Sequence, residues 1–131
     1  MATIKCVVVT PEATSIEQDA DFIVVPLFDG EKGIAAGHSP MIGRLGYGEL
    51  RLKSGGTIER FYVDGGFVQV EANVVSVMTG RLIAAVQLDA AVAEEHLNAA
   101  LKRRAHSVEL LEIRERSITQ ARAQLRIARK S

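Results

Sequence analysis

All 11 glycines and all three prolines of this 131-residue chain fall before residue 81, and none occurs from Asp89 to the C-terminus. That partition imposes two folding regimes. A segment punctuated every few residues by Gly and Pro forms short strands and turns, whereas one free of them can run on as helix.

The first regime matches strand patterns. "TIKCVVVT" and "DFIVVPLF" are β-branched and aromatic runs bounded by turn residues, and Pro26 within the second implies an edge strand or a bulge. "GELRLKSGGTIERFYVDGG" reads as two strands around Ser54-Gly55-Gly56, with Leu50 and Leu52 inward and Glu49, Arg51 and Lys53 outward. "GGFVQVEANVVSVMTG" repeats the device, with Glu71-Ala72-Asn73 as the turn. Closely spaced strands of this kind imply an antiparallel sandwich or flattened barrel.

The second regime is helical. Asp89 is placed to cap "AAVAEEHLNAALKRR", whose acids come early and bases late, as the helix dipole favours. A break at "AHS" leaves Ser107 to cap a second helix over 108–129. Leu111, Ile118 and Leu125 recur every seven residues, with Ala121 and Ala128 three beyond the last two, and Ala93, Ala100 and Ala121 permit close approach. The expected architecture is therefore α+β in two domains: an antiparallel β-sandwich over 1–88, then an antiparallel helical hairpin over 89–131.

Charge divides along the same line. Residues 1–88 hold seven basic and ten acidic residues, and residues 89–131 hold nine basic and six acidic, so a net of −3 meets a net of +3. No acid follows Glu115, while Arg116, Arg122, Arg126, Arg129 and Lys130 remain, either a solvated face or a prong for an acidic partner. The balanced total and an aromatic content of 5% with no Trp argue against nucleic acid as a partner. A single Cys6 permits no internal disulfide, and no apolar run approaches the ~18 residues of a membrane span. "MATIKCVVVT" reads as a strand rather than a signal or transit peptide, so a soluble, cytoplasmic protein is expected, one that can still sit on a membrane complex without inserting into the membrane.

The stretch "FDGEKGIAAGHSP" at 28–40 invites a chemical reading and resists most of them. It lacks the Gly-rich signatures of phosphate loops. Ser39, His38 and Asp64 could be drafted as a hydrolytic set, but adjacent Ser and His rarely face each other and no nucleophile elbow is present. His38, His96 and His106 are too scattered for a metal, so neither a catalytic nor a metal site is assigned. Gly30, Gly33 and Gly37 supply turns, which explains the shape but not the display of Glu31 and His38.

Three motifs in register carry a resemblance: G-E-x-G-I-x-x-G-H-x-P from Gly30 to Pro40, "YVDGGFVQVEANVVSVMT" from Tyr62 to Thr79, and "QLDAAVAEE" opening the hairpin. Together, and over essentially the whole chain, they resemble the epsilon subunit of bacterial F-type ATP synthase. The resemblance implies a ten-stranded sandwich and a two-helix C-terminal domain in a non-catalytic central-stalk subunit. It implies partners too: the gamma subunit, the c-ring loops, and the alpha/beta catalytic head. Torque from proton flow would pass through these contacts to ATP synthesis, on the cytoplasmic face of the bacterial cell membrane. Glu31 and His38 match positions on the lobe that meets the c-ring, and Leu88 and Asp89 mark the hinge. The hairpin would inhibit ATP hydrolysis when extended, with Arg116, Arg122, Arg126 and Arg129 as the basic face meeting the head.

One departure concerns ATP. Members that bind it carry [IL]-D-x-x-R-A at the first helix, whereas this chain has Leu88-Asp89-Ala90-Ala91-Val92-Ala93. With Val92 in place of the arginine, Asp89, Arg122 and Arg126 are left as weak contacts, and no tightly held cofactor is expected. The competing reading is a stand-alone sandwich scaffold whose helical hairpin self-associates.

Overall fold

The computed structural model describes residues 3–130. The chain divides into two compact units between Ala84 and Ala85. The first contains β1 (Ile4–Val9), β2 (Thr14–Ala20), β3 (Phe22–Leu27), β4 (Gly30–Ala35), β5 (Met41–Ser54), β6 (Thr57–Glu71), β7 (Val74–Met78) and β8 (Leu82–Ala84). The second contains a single 3-10 turn over Ala85–Gln87, α1 (Ala90–Lys102) and α2 (Val108–Arg129). Residues 85–87, expected within the strand domain, thus belong with the helices.

The strands run in the order β2-β1-β7-β6-β5-β3-β4, with β8 on β6. Among the described residues the pairings are antiparallel, as expected of the sandwich, apart from that of β1 with β7, which is parallel. Eight strands replace the ten implied by resemblance, because β5 and β6, at 14 and 15 residues, each run through both layers. Their register continues unbroken from Met41↔Val70 to Ser54↔Thr57.

Within that constant register the inward face inverts, and the one position left unpaired is Gly46 opposite Gly65. In β5 the core side chains are Met41 and Leu45, then Leu50 and Leu52. In β6 they are Phe61 and Val63, then Val68 and Val70. Odd and even positions exchange across Gly65 and Gly66, whose φ angles of +70° and +109° turn the ribbon over, a rotation that side-chain-bearing residues resist. A Cβ on Gly66 would also fall inside the Met78 carbonyl, so this position admits only glycine. "DGG" is therefore a corner inside one strand, a feature the sequence pattern did not indicate.

Local turn chemistry fixes the rest. Gly55 and Gly56 make the two-residue β5–β6 turn, and Ala72 and Asn73, with φ of 50° and 61°, make the β6–β7 turn. Pro26 lies inside the sheet at a register shift between β3 and β5, so the bulge alternative applies and the edge alternative does not. Ile4, Cys6 and Val8 of β1, Val75 and Val77 of β7, and Ile23 and Val25 of β3 complete the core.

In the helical unit Asp89 caps α1, its Oδ1 accepting from the backbone N–H of Ala91 at 2.8 Å and of Val92 at 3.3 Å. Ser107 caps α2 by accepting from Leu110 N–H at 3.1 Å. Ala93, Ala100, Ile118, Ala121 and Leu125 are buried as the seven-residue pattern requires, but Leu111 is exposed, so the seam fades toward the start of α2.

Candidate functional site

The stretch 28–40 has a strand at its centre, β4, over six of its thirteen residues. Phe28 and Asp29 turn the β3–β4 hairpin, β4 forms one edge of the sheet, and only residues 36–40 form a loop. Two bonds shape that loop: His38 N–H donates to Ala35 O at 3.2 Å, and Gly37 N–H donates to Asn73 Oδ1 at 2.7 Å. The second ties it to the β6–β7 turn. Glu31 stands at one end of β4 and His38 beyond the other. Four strand residues span roughly 13 Å, so they are separate features rather than one patch.

Glu31 is engaged within the chain. Arg51 donates to it through Nη1 at 2.8 Å and Nη2 at 3.2 Å. Arg51 Nη1 also reaches Glu49 at 2.8 Å, and Arg60 Nε donates to the second Glu49 oxygen at 2.8 Å. These four side chains form an alternating row from β4 across β5 to β6. Glu49 is only 6% exposed, and such a charge persists because it is paired on both oxygens. The Arg51 guanidinium is held above its ordinary pKa, chiefly by its bonds to Glu31 and then Glu49. A partner arriving at Glu31 meets an ion pair rather than a lone carboxylate.

His38 Nδ1 lies 2.7 Å from Ser39 O, whereas Asp64 accepts from Tyr62 Oη at 2.5 Å and faces Arg81 Nε at 3.7 Å. The drafted hydrolytic residues thus have separate partners and form no relay. Among the described residues there is no cluster of three metal-ligating side chains, and no helix is long and apolar enough to cross a membrane.

The surface that sequence reasoning missed lies on the outer face of the other layer. Val9 pairs with Met78, Met78 with Phe67, and Phe67 with Arg44, whose guanidinium sits 6.0 Å from the Phe28 ring centroid. Ile42, two residues from Arg44 on the same face, is 77% exposed; Phe28 is 68% and Phe67 56%. A sheet face exposing Val9, Met78, Phe67, Ile42 and Phe28 around one arginine has the character of an interaction surface. The signal was present in "FVQV": placing Val68 and Val70 inward necessarily turns Phe67 out.

On the hairpin, Arg116, Arg122, Arg126 and Arg129 are all exposed. Arg122, Arg126 and Arg129 share one face at i, i+4 and i+7, and Arg116 lies off it. Arg129 pairs loosely with Glu94 at 3.7 Å. Leu88 N–H donates to Ala85 O at 3.1 Å, placing it between the 3-10 turn and the Asp89 cap. Val92 is exposed in the first turn of α1.

Comparison with known proteins converges on one family. The family described as ATP synthase, Delta/Epsilon chain, beta-sandwich domain matches residues 3–85. The ATP synthase epsilon chain of Rhodopirellula baltica is 49% identical over 127 residues, spanning 97% of this chain and 99% of that relative. That of Symbiobacterium thermophilum is 36% identical over 130 residues, spanning 98% and 88%. In fold, the chain is similar to one in the Euglena gracilis mitochondrial ATP synthase, an OSCP/F1/c-ring structure, with a TM-score of 0.84 at 20% identity, covering 94% of this chain and 79% of that one. With the sandwich matched end to end and a full-length relative at 49% identity, this chain is a member of the ATP synthase delta/epsilon family, an epsilon chain.

Proposed function

We propose that the chain is a non-catalytic rotor subunit of an F-type ATP synthase, coupling proton flow to ATP synthesis. It would be held on the cytoplasmic face of the bacterial cell membrane through its partners. The observation that carries this reading is the exposed row Val9–Met78–Phe67–Arg44–Phe28, apolar apart from Arg44, with Ile42 beside it, a surface suited to a permanent neighbour, here assigned to the gamma subunit. The c-ring loops meet the β3–β4 lobe, with the Glu31–Arg51 pair and His38 as two separated contacts. Polar contacts of that kind set register more than affinity.

The basic face of α2, with Arg116 beside it, is assigned to the acidic surface of the alpha/beta head when the hairpin extends, with Leu88 and Asp89 as the hinge. Moving a hairpin between nearly complete docked and extended populations takes about 5.5 kcal/mol of differential binding. ATP supplies little of it here. The Asp89 carboxylate is occupied by the α1 cap, Val92 offers no charge to a phosphate, and Arg122 and Arg126 remain as weak contacts.

The test is ATP hydrolysis by the cognate head stripped of this subunit. Added back, the full chain should bind gamma at one copy per complex and slow hydrolysis. Phe67→Glu should abolish binding, while the Arg122→Glu/Arg126→Glu double variant should bind yet inhibit less. A full chain that ignores gamma and self-associates through its helices would replace this reading with the scaffold one.

A further inference from the structure

The linked end of the hairpin is not held by apolar burial. Leu101 of α1 and Val108, Leu110, Leu111 and Ile113 of α2 are all exposed there, whereas the buried seam residues Ile118, Ala121 and Leu125 lie further along α2. What spans this end is one guanidinium. Arg114 Nε donates to Arg103 O at 3.0 Å and Nη2 donates to Leu101 O at 3.2 Å. Its Nη1 donates to Glu115 at 2.8 Å, which fixes the plane of the group.

The chemistry suits the place. The last carbonyls of a helix have no partners within it, and the negative end of the helix dipole favours a cation. A planar guanidinium presents its donors in a fixed fork that serves two such oxygens in one geometry, whereas an ammonium is a compact point charge with no fixed plane. These bonds also depend on the bend. If α1 and α2 ran on as one straight helix, residues 101 and 114 would stand about 20 Å apart at ~1.5 Å per residue, beyond any side chain's reach. Arg114 therefore interacts with α1 only in the folded-back form.

We propose that Arg114 is the clasp of the helical hairpin, holding α2 to the C-terminal carbonyls of α1 and setting the ratio of closed to opened forms. The clasp stands on this chain alone; only its consequence for ATP hydrolysis rests on the rotor reading above. Since Arg122 and Arg126 are not involved, the surface offered to a partner and the device releasing it are separate.

The test uses the full chain with spin labels at Asn98→Cys and Glu112→Cys, both exposed; Cys6 is buried and stays unlabelled. Distance distributions by double electron–electron resonance should show a longer population in Arg114→Met, with the open-to-closed ratio raised about tenfold. Arg114→Lys, which keeps the charge but loses the planar fork, should fall between. If Arg114→Met loses its helical signal, Arg114→Gln is read instead and must show the same longer population. A parent-like distribution in whichever neutral variant is read overturns the proposal, and this outcome is distinct from any failure to bind gamma.

Discussion

Arg51 binds Glu31 through both terminal nitrogens while one of them also serves Glu49, so a single guanidinium links an edge strand to the middle of the sheet. The two carboxylates differ in what they can lose. Glu31 is half exposed, and Glu31→Gln should lower stability by less than about 1 kcal/mol, as surface pairs do. Arg51→Met removes one partner of Glu49 at a buried site and should lower stability by about 1–3 kcal/mol in urea unfolding. Equal losses for the two variants would mean the row is not graded by burial.

Gly66 and Gly55 provide a contrast in backbone strain. Both have positive φ, but a Cβ at Gly55 meets open space and one at Gly66 meets the Met78 carbonyl. Gly55→Ala should lower stability by about 1–2 kcal/mol, the usual left-handed penalty. Gly66→Ala should exceed about 4 kcal/mol or prevent folding, and circular dichroism with urea titration separates the two.

Burial pushes the Cys6 thiol from its ordinary 9.0 up to about 12. The folded chain therefore keeps a proton that the unfolded chain releases, so the contribution of Cys6 to stability is constant below about pH 9 and falls as pH rises from there toward 12. Cys6→Ala should weaken that alkaline decline, seen as the pH dependence of the urea midpoint. A disulfide reagent at pH 8 should leave the native thiol untouched and modify it after denaturation.

Asp89→Ala removes the acceptor for two α1 N–H groups and should cost the hairpin about 1 kcal/mol, seen as helicity lost on heating before the sandwich melts. Val92→Arg restores a cation beside that cap and should tighten ATP binding by roughly ten- to hundredfold. Isothermal calorimetry of both chains checks this, and tight binding by the parent would contradict the role given to Val92.

The two regimes were legible to different depths. Helix starts depend on the capping residue and its next few neighbours, so Asp89 and Ser107 were readable directly. Strand β2 was not assigned, because "TSIEQDA" buries only Ala20 fully and carries no apolar alternation. β4 resembled a glycine-rich turn, since of "GEKGIA" only Ile34 is buried. The β5–β6 corner was hidden because Gly-Gly signals a turn by the same positive φ that here turns a ribbon over. The Glu31–Arg51 pair needs β3 between its two strands, a relation that spacing in one chain does not contain. The roles given to Glu31, His38, Leu88 and the arginines of α2 rest on resemblance, which places each residue without naming what it touches.

Because β5 and β6 belong to both layers of the sandwich, the layers are joined by unbroken backbone as well as by packed side chains. Sliding one layer over the other would strain those covalent crossings before the core could shear. A load passing from one layer to the other can thus travel along peptide bonds, far stiffer than hydrogen bonds pulled sideways. The sandwich is built as a strut: it can carry twist between two neighbours without giving way between its own halves.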